Sequence, residues 1–261
     1  MTPGGAQADV RDAPAAAVAE VVNPAGTGRF VLACEHASNY IPPEMGGLGL
    51  NDGALQSHIA WDPGALDVAR EMARRLDSPL AVQRVSRLVY DCNRAPLAAG
   101  AIPESSEIYR IPGNAGLSVV QRMRRERLFY EPFRAALAGV LDGRTAQFPV
   151  VLTVHSFSPV YAGMRRDMDM GLIDHGDDRF ALAMLGAMRE RTRLVVRRNA
   201  PYCREDGVTH TLALHAVARG LLNVMIEVRN DLLAASEDRR AMAVLLADCA
   251  LAALASLEKV E

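Results

Sequence analysis

The chain has 261 residues, half of them hydrophobic, with 29 basic and 31 acidic side chains, a net charge of −2 and a pI near 6.3. That length supports one α/β domain with a substantial core. The near-even charge balance excludes the global basic field that nucleic acid or an anionic membrane surface would select.

Residues 1–28 lack both the basic start and the uninterrupted apolar stretch of a signal peptide. Their Ala, Pro and Gly content predicts a loose tail, followed by a single domain over residues 29–261. No run of about 18 apolar residues is present, so no membrane span is expected. Cys34, Cys92, Cys203 and Cys249 are dispersed and form no CxxC pair, which fits reduced thiols and a cytoplasmic setting.

After the tail, short apolar runs alternate with segments of helical period. Strands are predicted at Phe30–Cys34, Leu80–Val85, Val150–Val154, Gly171–Ile173, Leu194–Val196 and Leu222–Glu227. Helices are predicted at Ala65–Leu76, Ser118–Leu141, Arg179–Arg191, Thr211–Ala218 and Glu237–Leu257. Pro132 is expected to kink the second helix, because it has no amide hydrogen to donate. The basic stretch Arg122–Arg127 includes Glu126 and reads as a solvated face of that helix. Asn93–Leu117, rich in Pro and Gly, reads as a long surface loop. Alternating strands and helices imply a mostly parallel or mixed sheet covered on both faces.

Ligands in such sheets bind beyond the carboxyl ends of the strands, and several apolar runs here end in polar residues. Phe30–Cys34 runs into Glu35, His36, Ser38 and Asn39; Val150–Val154 runs into His155, Ser156 and Ser158. The segment LLNVMIEVRND carries Glu227 and Arg229, and SRLVYDCNR carries Arg87, Asp91, Asn93 and Arg94. Singly, each is an ordinary loop, turn or ion pair. Together they bring two histidines, a side-chain oxygen and a free glutamate to one edge. That set suits zinc with an open position for water, a general base beside it, and arginines to clamp a carboxylate.

In order along the chain, EHASNYIP, SHIAWDPGA, SRLVYDCNR, TVHSFSP and MIEVRNDL resemble the N-formylglutamate amidohydrolase family. More distantly they resemble the zinc carboxypeptidases and the succinylglutamate desuccinylase and aspartoacylase enzymes. The resemblance spans about residues 29–257. It implies a three-layer α/β/α fold with a mixed, mostly parallel central sheet, phosphorylase/hydrolase-like, and one catalytic Zn2+. It also implies hydrolysis of N-formyl-L-glutamate, or a similar small acidic N-acyl amino acid, to formate and the free amino acid, as in histidine breakdown.

By the same resemblance His36 and His155 are metal ligands and Glu227 is the catalytic glutamate. Asn93 and Arg94 match a pair that holds substrate carboxylate, with Arg87 or Arg166 assisting. Where the carboxypeptidase pattern has a ligand glutamate three residues after the first histidine, this chain has Asn39. Asp62 is the other candidate for the third ligand. Glu35, next to His36, is expected to point the other way if the strand continues. His58 is read either as support for the Asp62 segment or as a surface residue. His210 near a loop–helix junction is a candidate pocket residue, and His175 reads as part of a turn. His210 and His215, five apart, cannot form the i, i+4 zinc pair of helical metalloproteases. Ser156 is placed among the substrate-binding residues, since no GxSxG elbow surrounds it to make it a nucleophile. The rival readings are a metal-poor carboxylate-binding or regulatory protein on the same fold and a deformylase for a different N-formyl substrate. The sequence is silent on oligomeric state.

Overall fold

The computed structural model describes residues 18–259. Its central sheet has seven strands: β1 (Ala19–Val22), β2 (Phe30–Cys34), β3 (Leu80–Gln83), β4 (Val150–Phe157), β5 (Met170–Ile173), β6 (Val196–Arg198) and β7 (Asn223–Arg229). Their spatial order is β1-β3-β2-β4-β7-β5-β6. Strands β3, β2, β4 and β7 are mutually parallel, whereas β1 is antiparallel to β3 and β5 to β7. The sheet is therefore mixed and mostly parallel.

Period-two alternation assigns each strand residue to one of two helical layers. Phe30, Leu32, Leu152, Val154, Val224 and Ile226 face α1 (Ala65–Arg75), α4 (Arg179–Arg191) and α5 (Ser236–Leu257). Val31, Ala33, Val151 and Met225 face the opposite layer, built on α3 (Glu131–Asp142) and the turn Glu126–Tyr130, which α2 (Val119–Arg125) precedes at the surface. This is the three-layer α/β/α arrangement. By length and composition α5 alone is long and apolar enough to cross a bilayer among the described residues, yet Met242, Ala243, Leu246 and Ala250 are buried in the core.

Several boundaries differ from the sequence reading. Within the span expected as a tail, residues 1–28, Ala19–Val22 instead pair with Leu80–Gln83 as an edge strand; residues 1–17 lie outside the described residues. The strand β4 does not stop at Val154, because its pairing with β7 continues through Glu227↔His155, Val228↔Ser156 and Arg229↔Phe157. His155 is thus a strand residue, not a loop residue, and Glu227 lies within its strand as expected. β6 starts at Val196 rather than Leu194, after the Val195 amide is taken by the Asp169 carboxylate at 2.8 Å.

The predicted helix Ser118–Leu141 is interrupted before Pro132, by a wide turn over Glu126–Tyr130 in which the Glu131 amide reaches back five residues to the Glu126 carbonyl. Pro132 then sits in the first turn of α3, where its missing donor costs nothing. The predicted helix Thr211–Ala218 is a similar wide turn, Leu212–Ala216, closed by a tight one over Val217–Arg219.

Phe133, 1 % exposed, fills the space between α3 and the sheet. Phe133→Ala is expected to cost about 3 to 5 kcal/mol of stability, read as a lower denaturation midpoint at unchanged slope. A loss below about 1 kcal/mol would mean that this layer contributes little to the core.

Candidate active site

The chain leaves β2 for β3 on one side and later enters β4 on the other, so the sheet order reverses between β2 and β4. That switch point leaves a crevice at the carboxyl ends of the strands, and the site lies there. His36 follows β2, while His155 and Glu227 lie in the carboxyl halves of β4 and β7. Asp62 arrives from the loop before α1, tied in by its amide, which donates to the His36 carbonyl at 2.9 Å. Gly64 then starts α1 with φ +82°, and a Cβ there would lie 2.6 Å from that of Leu233. Glycine lets this loop turn and lie against Leu233 at once.

Three donor atoms converge. His36 Nδ1 lies 3.2 Å from His155 Nδ1, and the Asp62 Oδ2 oxygen lies 3.3 Å and 2.9 Å from them respectively. Tetrahedral zinc with ligands at about 2.0–2.1 Å separates its ligand atoms by roughly 3.3 Å. The triangle has that size, and its residues are buried. The donor set therefore fits a divalent metal of the zinc type.

Both imidazoles are held from behind, as metal ligands commonly are. His36 Nε2 meets Asp91 Oδ1 at 2.7 Å, and His155 Nε2 lies 3.2 Å from Glu35 Oε2. The second contact is an ion-pair distance whose angle is poor for a hydrogen bond. Arg87 bridges the two acids, with one nitrogen 3.3 Å from Asp62 Oδ1 and the other 2.9 Å from Asp91 Oδ2.

The inner site is strongly negative. Glu35, Asp62, Asp91 and Glu227 are each at most 5 % exposed; Arg87 pairs with Asp62 and Asp91, and Arg94 lies 3.8 Å from Asp91. Burial alone would lower the pKa of each histidine. For His155 the Glu35 and Asp62 carboxylates overcome burial and raise it well above its ordinary value. For His36 burial and Arg87 both oppose protonation, yet Asp91 and Asp62 raise it. Burial likewise disfavours the Asp62 carboxylate, but His36 and hydrogen bonds from both histidines hold its pKa well below the usual range. A field that attracts protons to these nitrogens attracts a divalent cation too, and metal binding releases the protons.

Glu227 faces the same space. It is the in-register parallel neighbour of His155, and its Oε2 atom is buried without a hydrogen-bond partner. Burial raises its pKa to about 7, with Asp62 adding to the effect and His155 opposing it. A cavity of about 200 Å³ opens above these groups, lined also by Arg166 and Tyr202. Arg166 is packed against the rings of Phe157, Tyr161 and Tyr202, 4.9 to 5.3 Å from their centres. It donates to Ser158 O and Tyr202 Oη, both at 3.1 Å. It has no acidic partner among the described residues.

Residues 28–234 match the family model for N-formylglutamate amidohydrolase. The chain belongs to the N-formylglutamate amidohydrolase family. A crystal structure of a gene product from Agrobacterium tumefaciens is 48% identical, with a TM-score of 0.90, over 92% of this chain and 96% of that one. The crystal structure of N-formylglutamate amidohydrolase from Ralstonia eutropha has a TM-score of 0.60 at 21% identity, over 94% of this chain and 98% of that one, and shares the fold. No curated protein matches.

For this amidohydrolase-family chain, the structure separates the residues singled out in the sequence. His36, Asp62, His155, Glu227, Arg87, Asn93, Arg94, Ser156 and Arg166 all line one cavity. Asn39 does not: its amide nitrogen donates to Leu55 O at 3.1 Å and Gln56 Oε1 at 3.2 Å, so of the two candidate oxygens only that of Asp62 stands beside the histidines. His210 is also elsewhere, its Nε2 2.8 Å from the Tyr130 hydroxyl.

The expected carboxylate clamp changes as well. Asn93 is committed at both ends of its amide, donating to Val208 O and accepting from the Thr211 amide. Arg94 donates to Asp206 O. Both thereby anchor the 206–211 segment. Arg87 serves the two aspartates, and the Ser156 hydroxyl donates to Pro63 O at 2.9 Å. Of the arginines proposed for substrate, Arg166 is the one without a carboxylate partner among the described residues, although it too donates to a backbone carbonyl, that of Ser158.

Glu35 and Asp91 are noted in the sequence but given no role in the site, and Tyr202 carries no sequence signal. Glu35 has a signal: Val31, Ala33 and Glu35 share parity, so Glu35 faces the layer that His155 faces and meets that ring at Nε2, whereas His36 meets it at Nδ1. Asp91 sits in a quoted polar stretch but reads as a turn former. His58 meets Glu107 at 2.8 Å across the cavity mouth.

Proposed function

We propose that this chain is a zinc-dependent amidohydrolase acting on N-formyl-L-glutamate or a closely similar small acidic N-acyl amino acid. The observation that carries the reading is a metal-sized triangle of His36, Asp62 and His155, facing a cavity that also contains unpartnered Glu227 and acid-free Arg166.

A zinc ion held by His36, Asp62 and His155 would lower the pKa of water towards about 7 and offset charge on the amide oxygen. The chain's own groups do the rest. Arg166, stiffened by three aromatic rings and two hydrogen bonds, presents its fork to the substrate carboxylate and orients the amide. Glu227 Oε2 accepts a proton from the attacking water and passes it to the amide nitrogen, so that the amine leaves neutral. Asp91 fixes the His36 tautomer by a hydrogen bond from behind, and the Glu35 charge favours a proton on the far nitrogen of His155, which directs both Nδ1 lone pairs inward. Atoms balance as water plus amide giving formate and the free amino acid.

Formate release from a panel of N-formyl amino acids tests the reading. Acidic members are expected to lead, activity to vanish on chelation, and zinc to restore it. A metal-replete protein that releases no formate from any member would overturn it.

A further inference from the structure

A second space of about 700 Å³ opens outside the inner cavity, between the hairpin Val160–Arg165 and the segment from Ala200 to Val208. The two spaces share Arg94, Tyr161, Arg166, Tyr202 and Val208. The hydrogen bond from Arg166 to Tyr202 therefore forms the sill between them. Arg94, Arg165, Arg166 and Arg197 line the outer space, against the carboxylates of Asp167 and Asp206. Those two acids are already engaged: Asp167 pairs with Arg197 at 2.8 Å, and Asp206 accepts from the Cys203 amide at 2.8 Å. Arg165 has no acidic partner among the described residues.

We propose that this vestibule is a second anion subsite and that the preferred substrate is an N-acyl acidic dipeptide. Its first residue fills the inner cavity, and its second places a carboxylate against Arg165. The inference rests on the amidohydrolase reading and extends it to substrate class. At about 200 Å³ the inner cavity is below the roughly 300–1,000 Å³ of common ligand pockets, so it holds one residue-sized moiety. Anything longer must pass the Arg166–Tyr202 sill, where the excess of arginine favours a negative group and opposes a lysine. Met164 and Pro201 beside them suit the methylene stem of a glutamate. The chemistry is unchanged: water divides the acyl C–N bond, leaving the carboxylic acid and a dipeptide with a free amino group.

The test uses zinc-loaded enzyme with N-formyl-Glu, N-formyl-Glu-Glu and N-formyl-Glu-Lys, and calorimetric binding of the products Glu and Glu-Glu. One partly exposed ion pair predicts kcat/KM about fivefold higher for N-formyl-Glu-Glu than for N-formyl-Glu, with no gain for the lysine dipeptide. Arg165→Glu should abolish the preference and Arg165→Lys should keep most of it, while N-formyl-Glu turnover stays as it was. N-formyl-Glu turned over as well as its extended form, or a preference that survives Arg165→Glu, overturns the proposal. If neither compound is hydrolysed, the amidohydrolase reading fails, and calorimetry still decides: Glu-Glu bound no more tightly than Glu overturns the subsite.

Discussion

Glu227→Gln is expected to lower kcat by about 10²- to 10⁴-fold, the usual contribution of a positioned general base, while zinc content and fold are retained. The substitution keeps the shape and both flanking strand bonds, so only proton transfer is removed. The wild-type carboxyl is suited to that transfer. Its burial raises the pKa to about 7, and a cation beside His155 would pull it lower, leaving an anion at neutral pH with one oxygen unengaged. Measured kcat within threefold of wild type, at equal metal content, would place the base elsewhere.

Asp62→Ala is expected to strip the metal. The Oδ2 atom lies within 3.3 Å of both imidazole nitrogens, and its removal opens the coordination triangle on one side. Zinc affinity should fall by more than the roughly 10- to 100-fold that loss of an outer carboxylate costs, a loss that Asp91→Asn would calibrate. Asn39→Ala should leave metal content unchanged, because its amide serves Leu55 and Gln56. Bound zinc per chain, measured for the three variants, gives the ranking. Metal retained in Asp62→Ala, or lost in Asn39→Ala, would sink the ligand set.

Periodicity made the layers legible. The apolar runs at Phe30 and Val150 and the helical spacing from Ala65 to Leu76 depend only on burial of one face, which sequence records directly. The site was legible where a residue type carries its own chemistry, as with His36, His155 and Glu227. It was not legible where partners depend on register or chain path. Asn39 and Asp62 are both candidate oxygens in the sequence, with Asp62 preferred for its Trp-Asp setting, and it is the His36 carbonyl, holding the Asp62 amide, that brings Asp62 inward. Asn93 and Arg94 lie beside the cavity as expected, but the return of residues 206–211 occupies them. Tyr202 belongs to a distant loop, and nothing in its neighbours in sequence announces a contact with Arg166. The wide turn over Glu126–Tyr130 escaped because Pro132 signals a break without saying that it falls one turn earlier.

His155 and Glu227 are opposite rungs of one parallel ladder. The gap between the proposed ligand and the proposed base is then an interstrand spacing, about 4.8 Å at the backbone, and it is a lattice constant rather than an adjustable length. Loop changes cannot retune it, and slipping a strand by a single residue would turn one of the two away from the other. Diversification of such an enzyme is thereby confined to the walls: the hairpins and returning segments can be rebuilt for new substrates while the reactive pair keeps its separation.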